Sequence, residues 1–340
     1  MHGGGRLTTL PGAQPDVQPF KPRFPWWGGD LQTLRNYVTR GGWDLSPWPS
    51  ERLYFEVDDG SGDRLQAVLH RREDAPLAVL VHGLTGCEES FYVLETARFL
   101  LSKGFSVLRM NLRGAGPSRK TCAGHYCAGS SAELATVLRQ LPKDLIAPGL
   151  VLIGYSLGGN VVLKYLAERP PDIVPDCAIS ISAPIDLAAA SARMMDARNR
   201  LYHRWLLKRM ATEAVSGSAE LSAAEKTAIG GARTVFEFDD RFVAPRNGFD
   251  GAADYYDKCS SAAMLPAIDT PVLLIHARND PWIPSGVYER LALPPSAPVC
   301  LALSDSGGHV GFHGTGLATP RHNTCIYTHS LRHLSVTPKT

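Results

Sequence analysis

The chain has 340 residues, 44% hydrophobic and 20% charged, with a formal net charge of +2. That length and composition suit one large soluble domain or two small ones, and the near-neutral balance gives no general field for nucleic acid. Seven cysteines, odd in number and scattered, argue against a disulfide scaffold and for reduced thiols in a cytoplasm-like compartment.

Taken in order, Met1 to Pro19 is rich in Gly and Pro and lacks the apolar core of a signal peptide, so residues 1–19 are expected to be disordered. Phe20 to Leu34 carries Phe20, Phe24, Trp26 and Trp27 among prolines, which predicts packing against the main domain. Leu53 to Val57 and Leu65 to Leu69 read as a hairpin around Asp58-Asp59-Gly60-Ser61-Gly62. Strands then alternate with helices. Leu77 to His82, Phe105 to Met110, Leu150 to Gly154, Ala178 to Ala183, Val272 to His276 and Val299 to Leu303 read as buried strands. Phe91 to Ser102, Ala132 to Leu141 and Val287 to Leu293 read as helices. This alternation predicts an α/β fold, a mostly parallel central sheet with helices on both faces, with chemistry at the carboxyl ends of the strands.

From about residue 186 to 269 no strand is obvious, and so long a connection should carry structure or function. It is expected to form a helical cap inside a single domain spanning 20–340. Ala192 to Ala214 has Met194, Met195, Leu201, Tyr202, Trp205 and Leu206 on one half and Arg193, Arg200, Arg204 and Lys208 opposite, with Arg198 and Arg209 interrupting the apolar half. A cap with its basic face in water fits this pattern; the sharper alternative is peripheral contact with anionic lipid. Phe236 to Phe249 reads as a loop whose acidic pair, Asp239 and Asp240, serves structure. No apolar run approaches the ~18 to 20 residues of a transmembrane helix.

The chemistry-bearing stretch is Gly154-Tyr155-Ser156-Leu157-Gly158, placed between an apolar strand and an amphipathic helix. A serine hydroxyl is a weak nucleophile and must stand exposed on a sharp strand-to-helix turn, where a base and a backbone N–H reach the same atom. Downstream, Asp280 in Asn279-Asp280-Pro281 follows a strand and is the candidate acid, with Asp186 as competitor. His309, in a Gly307-Gly308 loop past the last strand, is the candidate base; His313 is its rival, and His276 inside a strand is expected to be packed. The order Ser, acid, His is that of the nucleophile-elbow fold class. An oxyanion hole is expected from the backbone N–H groups of Leu84, in His82-Gly83-Leu84-Thr85-Gly86, and of Leu157. Arg113, in Asn111-Leu112-Arg113-Gly114-Ala115-Gly116, reads as a structural donor, since the loop lacks the Lys-Ser/Thr of a P-loop. Cys122 and Cys127 bracket His125 without a second ligand pair, so neither a metal nor a cofactor is expected; Cys87, beside the His82 loop, reads as a packed or simply exposed thiol, with a reactive one as the alternative.

Together these motifs resemble the α/β-hydrolase superfamily, and within it the YheT-like family. The marks are F-x-P-x-x-x-W at Phe20, L-Q-T-L at Leu31, H-G-L-T-G at His82, N-x-R-G-x-G at Asn111, G-Y-S-L-G-G-N at Gly154, N-D-P at Asn279 and G-G-H-V-G-F at Gly307. The resemblance implies a cytoplasmic carboxylesterase-like serine hydrolase using Ser156, Asp280 and His309 on small-molecule or lipid esters. A thioesterase, an amidase or a catalytically silent binding protein would share the same residues. Asp30 stands where the family often has His, and the tail from Arg321 to Thr340 does not read as the family's closing helix.

Overall fold

A computed structural model of the protein describes residues 21–39, 43–169, 173–217, 220–316, 319–335 and 338. The N-terminal stretch expected to be disordered lies outside these residues. Eight strands form one sheet: β1 (Glu51–Glu56), β2 (Arg64–His70), β3 (Leu77–Val81), β4 (Ser106–Met110), β5 (Leu150–Tyr155), β6 (Cys177–Ile181), β7 (Val272–Ala277) and β8 (Val299–Ser304). Their order is β1-β2-β4-β3-β5-β6-β7-β8. The leading hairpin is antiparallel, with Phe55 opposite Leu65, and β2 also runs antiparallel to β4. From β4 to β8 every pairing is parallel.

Most strands from β3 onward read as apolar runs because both faces are covered, whereas β1 at the edge is largely exposed. Leu77, Val79 and Val81 of β3 enter one core while Ala78 and Leu80 enter the other. The helices that cover these faces are α1 (Gly29–Thr39), α2 (Phe91–Ser102), α3 (Ser131–Gln140), α4 (Leu157–Ala167), α5 (Leu187–Met195), α6 (Arg200–Val215), α7 (Ala223–Gly231), α8 (Ala252–Cys259) and α9 (Arg321–His333), joined by shorter helical turns. Helices α2 and α9 contribute Leu100, Leu101, Cys325 and Ile326 to one core; α3, α4 and the helices between β6 and β7 build the other. No helix of the described residues is long and apolar enough to cross a membrane.

Several expectations change. Segment 21–39 does dock on the domain, but through α1 and backbone bonds such as Arg23 N–H to the His313 carbonyl. Of the aromatics expected to pack, Phe24 is 69% and Trp27 59% exposed and Trp26 is half-buried, while Phe20 lies outside the described residues. The single amphipathic helix expected over 192–214 breaks at Asp196, which takes extended ψ, into α5 and α6. The break resets the helical phase, so Leu201 is 79% exposed and the inward face of α6 is His203, Leu206, Met210 and Ala214. The expected loop 236–249 is largely helical, including a π-helical turn at Asp239–Val243. The expected helix over 287–293 is one turn, Gly286–Glu289, because the chain runs into Pro294-Pro295.

The tail holds a closing helix after all. Its buried face is His322, Asn323, Cys325, Ile326, His329 and Ser330, polar for the most part, so the usual apolar stripe is missing from the sequence. Ile326 is fully buried. Ile326→Ala should lower stability by about 2 to 5 kcal/mol, read as an earlier midpoint in urea unfolding; an unchanged midpoint would mean that α9 does not close the core.

Candidate active site

The elbow is built by close approach. Ser156 sits between β5 and α4 at φ 50° and ψ −123°, a region costly for a side-chain-bearing residue. Its N–H is held by the Ile181 carbonyl at 2.8 Å. A Cβ at Gly154 would meet the Gly158 carbonyl, and one at Gly158 would meet the carbonyls of Val81 and His82. Only glycine lets helix, strand and neighbouring loop come this near.

His309 Nε2 lies 3.0 Å from Ser156 Oγ, and His309 Nδ1 lies 2.9 Å from Asp280 Oδ2. With a carboxylate as its partner, Nδ1 carries the proton, which leaves Nε2 to accept from the serine hydroxyl. Asp280 Oδ1 accepts the N–H groups of Trp282 at 2.8 Å and Ile283 at 3.0 Å. Burial alone would push this carboxyl upward, but His309, His276 and the Ile283 N–H outweigh it and the net shift is downward. Asp280 is therefore ionised at neutral pH. The Trp282 ring packs on the imidazole with centroids 4.4 Å apart and restricts its tilt.

The rivals are engaged elsewhere. Asp186 caps α5, accepting the Ala189 N–H at 2.9 Å. His313 lies against the Arg35 guanidinium, with Nδ1 2.8 Å from Nη1, and burial together with that charge pushes its pKa down to about 2. His276 is buried in β7 and stacked on Tyr288 with centroids 4.2 Å apart; burial lowers its pKa to about 4.

Of the backbone donors at 83–87, after β3, one is unused among the described residues. Gly83 N–H goes to Tyr92 Oη at 2.9 Å, Thr85 N–H to Tyr126 Oη at 2.7 Å, Gly86 N–H to the Gly83 carbonyl at 3.0 Å and Cys87 N–H to Ser90 Oγ at 3.0 Å. Leu84 N–H donates to nothing among the described residues, and neither does Leu157 N–H at the start of α4. A Cβ on Gly83 would fall 2.9 Å from Ser156 Cβ, so this loop flanks the nucleophile. His82 locks the loop: its Nδ1 donates to the Gly83 carbonyl at 2.8 Å while Nε2 accepts Leu112 N–H at 3.1 Å. Cys87 borders the cavity, and burial raises its thiol pKa, which keeps it unreactive. Arg113 pairs with Asp59 and Asp63 and ties the β1–β2 turn to the loop after β4. Among the described residues no cluster of three or more His, Cys, Asp or Glu side chains is arranged to hold a metal ion.

Helix α1 contributes what reading the sequence missed. Thr33 Oγ1 accepts His309 N–H at 2.8 Å and donates to the Gly29 carbonyl at 2.8 Å. The Gln32 amide donates to the Trp26 and His313 carbonyls at 2.7 and 3.1 Å and accepts His313 N–H at 2.8 Å. A separation of 276 residues between Thr33 and His309 leaves no local pattern to find, although L-Q-T-L itself was visible as a family mark. Asp30 pairs with Arg198 at 3.1 Å, joining α1 to the insertion between β6 and β7.

Ser156 and His309 open into a cavity of about 1200 Å³. The sheet loops form its floor, α1 one wall and the insertion the rest. Leu34, Tyr37, Leu201 and Trp205 line it and are also exposed, so they mark its rim.

A family profile described as "alpha/beta hydrolase fold" matches residues 76–313. The chain is 32% identical over 253 residues to "Putative esterase YheT" of Escherichia coli (strain K12), covering 72% of this chain and 73% of that protein. It is 30% identical over 270 residues to the "Monoacylglycerol lipase" of Saccharomyces cerevisiae, covering 76% of this chain and 58% of the lipase. Among solved structures, the Pyrococcus furiosus esterase Pf2001 superposes with a TM-score of 0.58 at 20% identity, over 87% of this chain and 95% of the esterase. That last likeness speaks for the fold alone.

Removing the Thr33 hydroxyl leaves a buried His309 N–H without its acceptor. Thr33→Val should lower the turnover of any accepted ester about tenfold, since a net loss of about 1 to 1.5 kcal/mol corresponds to that factor. KM should hold and Thr33→Ser should restore the rate; equal kcat in all three proteins would remove Thr33 from the site.

Proposed function

This chain belongs to the α/β-hydrolase fold family and, within it, to the family of the Escherichia coli protein YheT, and from that premise we propose that it hydrolyses carboxylic esters through a Ser156–His309–Asp280 triad and an acyl-enzyme. The protein is an ester-hydrolysing enzyme. The observation that supports the triad most is the unbroken chain of contacts, 2.9 Å from Asp280 to His309 and 3.0 Å from His309 to Ser156.

In this mechanism Ser156 Oγ attacks the acyl carbonyl while His309 Nε2 takes its proton. Asp280, already ionised, stabilises the imidazolium without itself taking the proton. The carbonyl oxygen, now negative, receives the free N–H groups of Leu84 and Leu157, donors fixed before the charge develops. His309 then returns the proton to the leaving alcohol. Water, deprotonated by the same imidazole, releases the acyl group from Ser156 and restores the enzyme.

The cavity favours small-molecule or lipid esters with a sizeable apolar part. Its exposed apolar rim lies beside the solvent-facing Arg200, Arg204 and Lys208 of α6, which suits esters drawn from an anionic lipid surface. The seven free cysteines fit work in a reducing compartment such as the cytoplasm.

Ser156→Ala should lower kcat on an accepted chromogenic ester by several orders of magnitude, given the roughly 10⁶-fold loss when a comparable serine is removed. A loss below tenfold would refute the nucleophile. Asp280→Asn should damage turnover far more than Asp186→Asn; the reverse result would move the acid to the earlier loop.

A further inference from the structure

The mechanism leaves one buried carboxyl in the cavity unused. Asp239 belongs to the cavity lining, on the side built by the insertion, among Leu187, Met194, Phe238 and Val243. It is 8% exposed and begins the π-helical turn Asp239–Val243, a rare form that is frequently found at functional sites.

Its two oxygens are treated differently. Oδ2 lies 2.6 Å from Tyr256 Oη, which is also 3.1 Å from Ser191 Oγ. A phenol has one proton, and the shorter contact to the carboxyl takes it, so the Ser191 contact must use the serine's own proton. Oδ1 accepts no hydrogen bond among the described residues, and no basic side chain among them pairs with this carboxyl. Neighbouring carboxyls are closed. Glu213, in the same lining, is held by Arg119 and Tyr126 at 2.8 Å each. Asp240, one residue on, is half-buried and outside the cavity lining, with its Oδ1 accepting Ala252 N–H at 2.9 Å. Buried acceptors are normally satisfied, so an open oxygen on a cavity wall points to a partner from the ligand.

We propose that Asp239, held by Tyr256 and Ser191, is a subsite that recognises a free hydroxyl on the ester, at a point away from the bond that is cleaved. This rests on the ester-hydrolase reading above. The chemistry selects a hydroxyl. Burial raises the Asp239 pKa to about 7, so carboxylate and carboxylic acid are both present at neutral pH. A hydroxyl donates to the first form and accepts from the second. An ammonium group suits only the first and would be stripped of water among apolar side chains. The subsite makes no covalent contact and takes no part in proton transfer at Ser156; it selects the substrate.

The hydroxyl could sit on the alcohol or on the acyl side, and two ester pairs separate these sources. Affinities are read in the Ser156→Ala protein, where turnover does not interfere, from the fluorescence of Trp205 and Trp282 in the cavity lining. One pair is 3-hydroxypropyl against propyl octanoate; the other is methyl 10-hydroxydecanoate against methyl decanoate. In one pair or both, the hydroxylated ester should bind about tenfold tighter. Asp239→Leu in the same background should bring that ratio to about one. Asp239→Asn, of the same shape and safer for folding, should cut it several-fold. Equal affinities within both pairs would overturn the subsite, and so would a preference that survives Asp239→Leu. Wild-type protein assayed on the same four esters keeps the two readings apart: a hydroxyl preference in binding with no hydrolysis would refute the ester-hydrolase reading and leave the subsite standing.

Discussion

The site depends on where one imidazole is held. His309 sits on a loop after the last strand, in a region of the chain with little regular structure of its own, yet its ring must stay within hydrogen-bond reach of two groups on different strands. The structure fixes it from four directions. Asp280 takes Nδ1, Trp282 covers one ring face, Thr33 holds the backbone N–H, and Asn279 Oδ1 accepts the N–H of Gly308 at 3.0 Å. Three of these contacts come from the single loop 279–282 after β7, and the fourth from α1. A loop that, in the proposed mechanism, serves both serine and acid is thereby braced by side chains from two other parts of the fold.

The same logic explains why the N-terminal segment is more than a tail. Helix α1 walls the cavity, braces the His309 loop through Thr33 and Gln32, and reaches the insertion through Asp30 and Arg198. A Cβ at Gly308 would collide with the Gly29 carbonyl, so helix and loop are in direct backbone contact. In the proposed mechanism this couples turnover to the anchoring of the segment, since α1 holds the backbone of the loop that carries His309.

Much of this was legible in the sequence, and for physical reasons. Strands buried on both faces show as largely apolar runs, which is why the six from β3 to β8 were visible near their observed positions; the hairpin of β1 and β2 was readable from the turn residues between its strands. The elbow was readable because strain and crowding admit only glycine around Ser156. The readable features have local causes. What stayed hidden has distant ones. The break at Asp196 depends on how α5 and α6 pack, and the closing helix α9 buries histidine, asparagine and serine in place of leucine. Thr33 is defined as a site residue only by a partner 276 positions away. Asp239 was read as structural from its acidic neighbour, and one of its oxygens is indeed used that way; the other shows its significance only against a cavity wall.

Insertion and sheet divide the work. The sheet supplies geometry common to the fold: the elbow, the two free N–H groups and the imidazole. The helices between β6 and β7 supply much of the cavity lining, so the proposed function assigns selectivity to them. The central claim is that the Ser156 hydroxyl is made nucleophilic by His309, and covalent labelling tests it most directly. A fluorophosphonate probe should modify the peptide containing Ser156 in the wild-type protein, and His309→Ala should slow that reaction by orders of magnitude. Labelling elsewhere, no labelling, or equal rates in the two proteins would contradict the account.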